Sequence, residues 1–133
     1  MQPGLLFSSS SPYTKQARFA ALLWTLLVLV GCFAPATAFP KVDVPFADKW
    51  VHFVMFGGFA LLWLCAYPKR QVSQYLKMLL VAAAFGSFIE IMQGILTFLG
   101  RSMEFLDAVA DTVGGILGIS VFVLAGRVFG AKG

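Results

Sequence analysis

Four long apolar runs dominate the chain, and the polar residues collect between them. The runs cover about 15–33, 50–67, 75–99 and 106–129. Each is close to the roughly 20 residues that a helix needs to cross about 30 Å of hydrocarbon. None shows the alternation of apolar and polar positions that a membrane β-strand would have. The pattern predicts an all-α integral membrane four-helix bundle, with 15–133 as one transmembrane domain.

Composition agrees with a membrane environment. Hydrophobic residues make up 59% of the chain and charged residues 12%, and the mean hydropathy is +0.85. A soluble domain of this length would need more charged surface. The net charge of +4 does not indicate nucleic acid binding, because the basic residues sit at the ends of apolar runs and form no aromatic-interleaved stripe. Membrane lipids are the expected surroundings, and no cofactor is predicted.

The basic residues are distributed unequally between the two ends of the predicted bundle. Seven of the ten lie on the side of the termini and of the 68–74 connection, and three lie on the other side. The majority group is Lys15, Arg18, Lys69, Arg70, Lys77, Arg127 and Lys132; the minority group is Lys41, Lys49 and Arg101. Basic loops stay in the cytoplasm, so both termini are predicted to be cytoplasmic.

The N-terminal region allows two interpretations. Residues 1–14 are uncharged and rich in serine, with proline and glycine, which predicts a flexible cytoplasmic tail. The first apolar run followed by Ala36-Thr37-Ala38 also resembles a signal peptide with its cleavage site. The long preceding region and Pro40 just after that site favour retention of the first helix.

The acidic residues gather at the end opposite the termini. They are Asp43, Asp48, Glu90, Glu104, Asp107 and Asp111. Asp48 and His52 are four residues apart and share a helix face, as do Asp107 and Asp111. Asp43 and Glu104 are expected to be solvated loop charges. The others predict a funnel that is wide at the outer surface, with Glu90 at its floor.

Glu90 is the least expected of these residues, because it lies only about 5 Å outward of the centre of its helix at 1.5 Å per residue. A carboxyl at such depth costs roughly 2.5–3.5 kcal/mol on insertion scales and must face a partner or a wet cavity. His52, Lys49 and Arg101 are the candidate partners. Gln93 lies three residues after Glu90 and shares its face.

The last helix also carries a pattern of small residues. Gly114, Gly115 and Gly118 continue the stripe that begins with Asp107 and Asp111. Gly114-x-x-x-Gly118 is a small-xxx-small pattern that allows two helix backbones to approach closely. These glycines are therefore expected to serve helix packing.

The polar residues do not specify one chemistry. One histidine with several carboxylates could hold a hard divalent cation. With no second histidine and no HExxH, however, we predict no metal site. Glu90 and His52 could act as an acid–base pair or a proton relay. A polar network that only fixes helix packing remains an alternative.

These residues together resemble a known family. The pattern comprises Asp48-Lys49-x-x-His52-Phe53, Glu90-x-x-Gln93, Arg101, and Asp107-x-x-x-Asp111-x-x-Gly114-x-x-x-Gly118. It is similar to the VanZ-like membrane proteins over the last three helices. Position 111 is commonly Asn in that pattern and is Asp here. The resemblance implies a small protein of the bacterial inner membrane, and the family's namesake is associated with low-level resistance to the glycopeptide teicoplanin.

The leading hypothesis is an envelope protein that binds a polar or phosphorylated lipid headgroup at the outer leaflet. The expected ligand-binding residues are Asp48, Lys49, His52, Glu90, Gln93, Arg101, Asp107 and Asp111. Lys49, His52 and Arg101 would contact the anion, since a guanidinium can hold a phosphate at two points. The alternatives are a membrane-embedded enzyme or proton-coupled transporter using Glu90 and His52, and a structural subunit that docks a partner membrane protein.

The orientation can be tested by labelling with a membrane-impermeant maleimide. Single cysteines from Asp43→Cys and Lys69→Cys are placed in a chain whose two native cysteines are changed to serine. In right-side-out vesicles we expect labelling at position 43 and none at 69, because the basic 68–74 connection stays in the cytoplasm. Permeabilised vesicles, in which both sites should react, serve as the control. Labelling of position 69 from outside would contradict the predicted orientation.

Overall fold

The structure, a computed structural model, describes residues 2–129. It contains four long helices: α1 Thr14–Phe33, α2 Ala47–Ala66, α3 Val72–Ile95 and α4 Phe105–Val128. Short 3₁₀ turns cover Pro3–Phe7, Ala36–Ala38 and Thr97–Leu99. The described residues form no β-strand, which confirms the all-α prediction. All four helices are long and apolar enough to cross a membrane.

The helix bounds differ from the predicted ones by a few residues. α2 begins at Ala47 and α3 at Val72, each three residues earlier than predicted, because their first turns are too polar to register as apolar. α3 ends at Ile95, not at 99. The apolar residues that follow form a 3₁₀ turn closed by Gly100 at φ 67°. Hydropathy alone cannot distinguish an apolar turn from a helix.

A proline ends α1, and a residue with a left-handed backbone conformation precedes α2. α1 stops before Pro35, where Ala34 has the extended backbone (ψ 145°) that a following proline imposes. Phe46, with φ 57°, turns the chain into α2. The connections are short enough for neighbouring helices to run antiparallel.

The two ends of the bundle hold different charges. At the end where α2 meets α3, Arg18 donates to the Ala66 carbonyl at 3.3 Å and Arg70 donates to the Val123 carbonyl at 3.4 Å. Lys132, assigned to this end from the sequence, lies outside the described residues. All six acidic residues lie in the opposite half of the bundle or in the loops at that opposite end. The predicted separation of charges is therefore present, and which end faces the cytoplasm stays a prediction.

Part of the predicted N-terminal tail packs on the bundle. The Phe7 ring contacts the Phe122 ring of α4 edge-on, with centroids 6.0 Å apart. The Phe7 carbonyl accepts a hydrogen bond from Arg70 at 3.2 Å. These contacts hold the 3₁₀ turn against the end of the bundle where α4 finishes.

Glycine permits a close backbone contact between α2 and α4. A Cβ atom at Gly114 would collide with the Phe53 carbonyl, and one at Gly118 would collide with the Gly57 carbonyl. On the neighbouring face of α4, a Cβ at Gly115 would lie 2.9 Å from the Cβ of Ala82 in α3. The stripe of small residues thus brings the backbones of α2 and α4 into contact.

Gly118→Ala is expected to destabilise the protein. Alanine favours a helix by about 1 kcal/mol over glycine, but overpacking a tight contact costs typically about 1–3 kcal/mol. Because the obstacle at Gly118 is backbone, which cannot rotate away, the clash should prevail and lower the melting temperature in detergent. Ser120→Ala, at an exposed position of the same helix, is the control and should change stability little. Equal or higher stability of Gly118→Ala would contradict the close contact.

Candidate functional site

The outer part of the polar cluster surrounds one ammonium group. Lys49 Nζ lies 2.6 Å from Asp48 Oδ2, 2.5 Å from Glu104 Oε2 and 3.0 Å from Asp107 Oδ1. Asp48 and Lys49 come from the first turn of α2, and Asp107 comes from the first turn of α4. Lys49, expected to contact an anionic ligand, is surrounded by three carboxylates of the protein itself.

A buried histidine lies one turn deeper. His52 Nδ1 and Asp111 Oδ1 form a hydrogen bond of 2.8 Å. The other ring nitrogen, Nε2, lies 3.8 Å from Asp107 Oδ2, and Nδ1 lies 3.9 Å from Glu90 Oε1. All four side chains are at least nine-tenths buried. The helix faces predicted from four-residue spacing therefore meet around one imidazole ring.

Glu90 joins α3 to the start of α4. Its Oε2 accepts a hydrogen bond from the backbone N–H of Glu104, the residue that precedes α4, at 3.0 Å. A carboxylate at this position also suits the positive end of the helix dipole. Glu104 was expected to be only a solvated loop charge. It is exposed, but its backbone and its carboxylate both take part in the cluster.

The floor of the cluster is Asp111, where the sequence predicted Glu90. Asp111 is fully buried and packs against Gly86, where a Cβ would lie 2.7 Å from Asp111 Oδ2. Gly86 is one helical turn further than Glu90 from the C-terminal end of α3. The absence of a side chain at position 86 is what makes room for the deep carboxylate.

Two further predicted site residues bind the end of α1. Gln93 Nε2 donates to the Cys32 carbonyl at 2.8 Å. Arg101 Nε donates to the Ala34 carbonyl at 2.8 Å, and its Nη2 donates to the Gly31 carbonyl at 3.1 Å. The last carbonyls of a helix lack partners within it and form its negative end, so these donors cap α1. Residue spacing gave no signal that Gln93 and Arg101 cap α1, because the acceptors are backbone atoms of a distant helix.

A cavity of about 610 Å³ adjoins the cluster. It lies at the acidic end of the bundle, between the end of α1, the start of α2 and the 34–46 connection. Its polar lining consists of Asp48, His52 and Arg101, and the remaining walls are apolar. The Arg101 guanidinium also lies 5.5 Å from the centre of the Phe39 ring, which lines the same cavity. The sequence predicted a funnel with Glu90 at its floor, but of the expected ligand-binding residues only Asp48, His52 and Arg101 line this cavity.

Two carboxylate oxygens in the cluster have no hydrogen-bond partner among the described protein groups. They are Glu90 Oε1 and Asp111 Oδ2, and both are buried. Asp107 Oδ1 likewise has no well-aligned hydrogen bond, but Lys49 Nζ lies 3.0 Å from it and compensates its charge. Unpaired buried carboxylate oxygens are costly, so this part of the cluster is poised for a further proton or cation.

These features define a class: a small multi-pass membrane protein with a buried histidine–carboxylate cluster beside an open cavity. The chain matches the VanZ/LLP1 family over residues 4–126 and belongs to it. The resemblance seen in the last three helices is therefore confirmed, and the match also includes α1. No curated protein and no solved structure matches the chain.

Arg101→Lys is expected to lower stability. Lysine cannot reproduce the two hydrogen bonds that the guanidinium donates to α1, and bonds to charged donors contribute about 1.5–3 kcal/mol each. The melting temperature in detergent should fall, and proteolysis should cut the 34–46 connection faster. Lys41→Arg, the reverse exchange at an exposed site on the same end, is the matched control. Unchanged stability of Arg101→Lys would show that capping α1 is not its role.

Proposed function

We propose that this chain is an envelope membrane protein that holds a polar lipid headgroup in the cavity beside α1 and α2. The observation that carries the proposal is the cavity itself. Its volume of about 610 Å³ lies within the range of roughly 300–1,000 Å³ that is usual for small-molecule sites. Its apolar walls suit acyl or glycerol carbons, and its few polar groups would fix the headgroup.

The charges in the cavity favour a headgroup with more than one polar group. Arg101 offers a positive charge for a phosphate, and Nη1 is not used in its bonds to α1. Asp48 is exposed and offers a negative charge at the same cavity for an amine or hydroxyl group. Lys49 contributes little to anion binding, because three carboxylates surround its ammonium group.

The proposal includes an orientation and a location. With both termini in the cytoplasm, as the basic residues favour, the cavity opens toward the outer leaflet of a bacterial inner membrane. A role in glycopeptide sensitivity or in the cell envelope belongs to the same proposal, and it is supported by family membership. α1 would be retained, because Gln93 and Arg101 bind its end and a cut after Ala38 would separate it from the chain.

Proton transfer through Glu90 and His52 is a second candidate. It is favoured by the position of one imidazole within 3.9 Å of three buried carboxylates. Chains of acidic residues and histidine are typical of proton relays in membranes. Proton uptake into liposomes carrying the protein, lost in Glu90→Gln, would support this function over headgroup binding. Docking of a partner protein is a third possibility that no feature of the described residues favours specifically.

Filling the cavity should remove the bound lipid. Val51 lines the cavity, whereas Val54 is similarly exposed on the same helix and does not line it. In native mass spectrometry of protein purified in mild detergent, the unmodified protein and Val54→Trp should retain lipid. Val51→Trp should lose most of it, because the indole occupies the space of the headgroup. Equal lipid retention by the two variants would contradict the proposal.

A further inference from the structure

Two sets of three ionisable side chains share Asp107, and they differ in how the charge of their carboxylates is compensated. The outer set, Asp48, Glu104 and Asp107, surrounds the ammonium of Lys49 at 2.5–3.0 Å. The inner set is His52, Glu90 and Asp107, each at least nine-tenths buried. One ligand atom from each of these three lies within 4.8 Å of the other two. A lysine serves the outer set, and no lysine or arginine of the described residues pairs with Glu90 or Asp111.

Glu90, Asp107 and Asp111 are alike in that the two oxygens of each carboxylate have different contacts. One oxygen of each is fixed by the protein: Glu90 Oε2 by a backbone N–H, Asp107 Oδ1 by Lys49, and Asp111 Oδ1 by His52. The second oxygens of Glu90 and Asp107 lie 3.9 and 3.8 Å from the imidazole nitrogens. Glu90 Oε1 and Asp111 Oδ2 lack any hydrogen-bond partner among the described protein groups. The cluster thus presents free oxygens around the imidazole.

Although the sequence predicted no metal site, we propose that His52, Glu90 and Asp107 bind a divalent metal cation, with Asp111 orienting the histidine. Ligand atoms that each lie about 2.1 Å from one cation are roughly 3–4 Å apart, which the 3.8 Å between His52 Nε2 and Asp107 Oδ2 matches. The Asp111 bond to Nδ1 leaves Nε2 as the metal-binding nitrogen. Glu90 Oε1 lies 3.9 Å from Nδ1, so the Glu90 side chain would turn toward Nε2 to reach the same cation. A carboxylate that fixes the opposite nitrogen of a metal-bound histidine is a common arrangement.

The ligand set selects the kind of cation. One imidazole nitrogen and several carboxylate oxygens suit a hard to borderline ion of the first transition series such as Mn²⁺, because soft ions prefer thiolate ligands. A doubly charged ion would also offset the buried negative charge of Glu90 and Asp111, which pair with no lysine or arginine of the described residues. Of the residues of this site only His52 lines the cavity, and the cation would bind without a headgroup because Glu90, Asp107 and Asp111 lie outside the lining.

The only histidine of the chain makes a direct test possible. The full chain is purified with a tag that contains no histidine, stripped with EDTA and titrated with Mn²⁺ in detergent. We expect saturable binding of about one ion per chain, followed by electron paramagnetic resonance. Electron spin-echo modulation from an imidazole ¹⁴N should then identify His52 as a ligand without any substitution. Absence of saturable binding, or binding without the nitrogen signal, would overturn the proposal.

Substitutions separate the inner set from the outer set. Glu90→Gln and Asp107→Asn should each weaken Mn²⁺ binding by at least about 10-fold, since even partners of metal ligands contribute 10–100-fold. Two control variants remove carboxylates outside the inner set: Glu104→Gln removes one that contacts Lys49, and Asp43→Asn removes an exposed one. Each should change the Mn²⁺ affinity by less than about 3-fold, which is less than the loss of a partner of a metal ligand would cause. Gel filtration verifies folding of each variant. Should Glu104→Gln abolish binding while Glu90→Gln retains it, the inner site is wrong.

Discussion

The contact between α2 and α4 is the constraint on which the polar cluster depends. Gly114 and Gly118 place the backbone of α4 directly against α2, at Phe53 and Gly57. Only at this separation can His52, next to Phe53 on α2, reach Asp111 on α4 at 2.8 Å. A side chain at either glycine would push the helices apart and break the hydrogen bond together with the packing. The small residues and the charged residues of α4 thus form one structural unit.

Compensation of charge organises the rest of the acidic half of the bundle. In an apolar surrounding each ionisable group needs a partner, because burial of an unpaired charge is costly. Lys49 is matched by three carboxylates, Arg101 by two helix-terminal carbonyls, and Glu90 by the N–H before α4. These pairings connect all four helices at one end. The unpartnered oxygens beside His52 stand out against this pattern, and the proposed cation site is located there.

The cavity and the cluster are neighbours with different chemistry. Arg101, Asp48 and one face of His52 line the cavity, whereas Glu90, Asp107 and Asp111 lie behind His52, outside its lining. His52 is therefore the side chain that the cavity shares with the buried part of the cluster. A headgroup in the cavity and a cation in the cluster would meet at this residue. Lipid retention and Mn²⁺ binding are separate measurements of the two sites, and Mn²⁺ binding with and without bound lipid measures their coupling.

The sequence by itself determined the helical class, the number of helices, the segregation of charge and the faces that carry Asp48, His52, Asp107 and Asp111. These follow from hydropathy and from the 3.6-residue period, which are local properties of the chain. Tertiary structure decided the partner of each charge. The binding of Arg101 to α1 could not be predicted, because its acceptors are backbone carbonyls about 70 residues away in the chain. The deep position of Asp111 could not be predicted either, because it depends on the space left by Gly86 in another helix. The cavity likewise exists only where separate segments meet, and no periodicity within one segment encodes it.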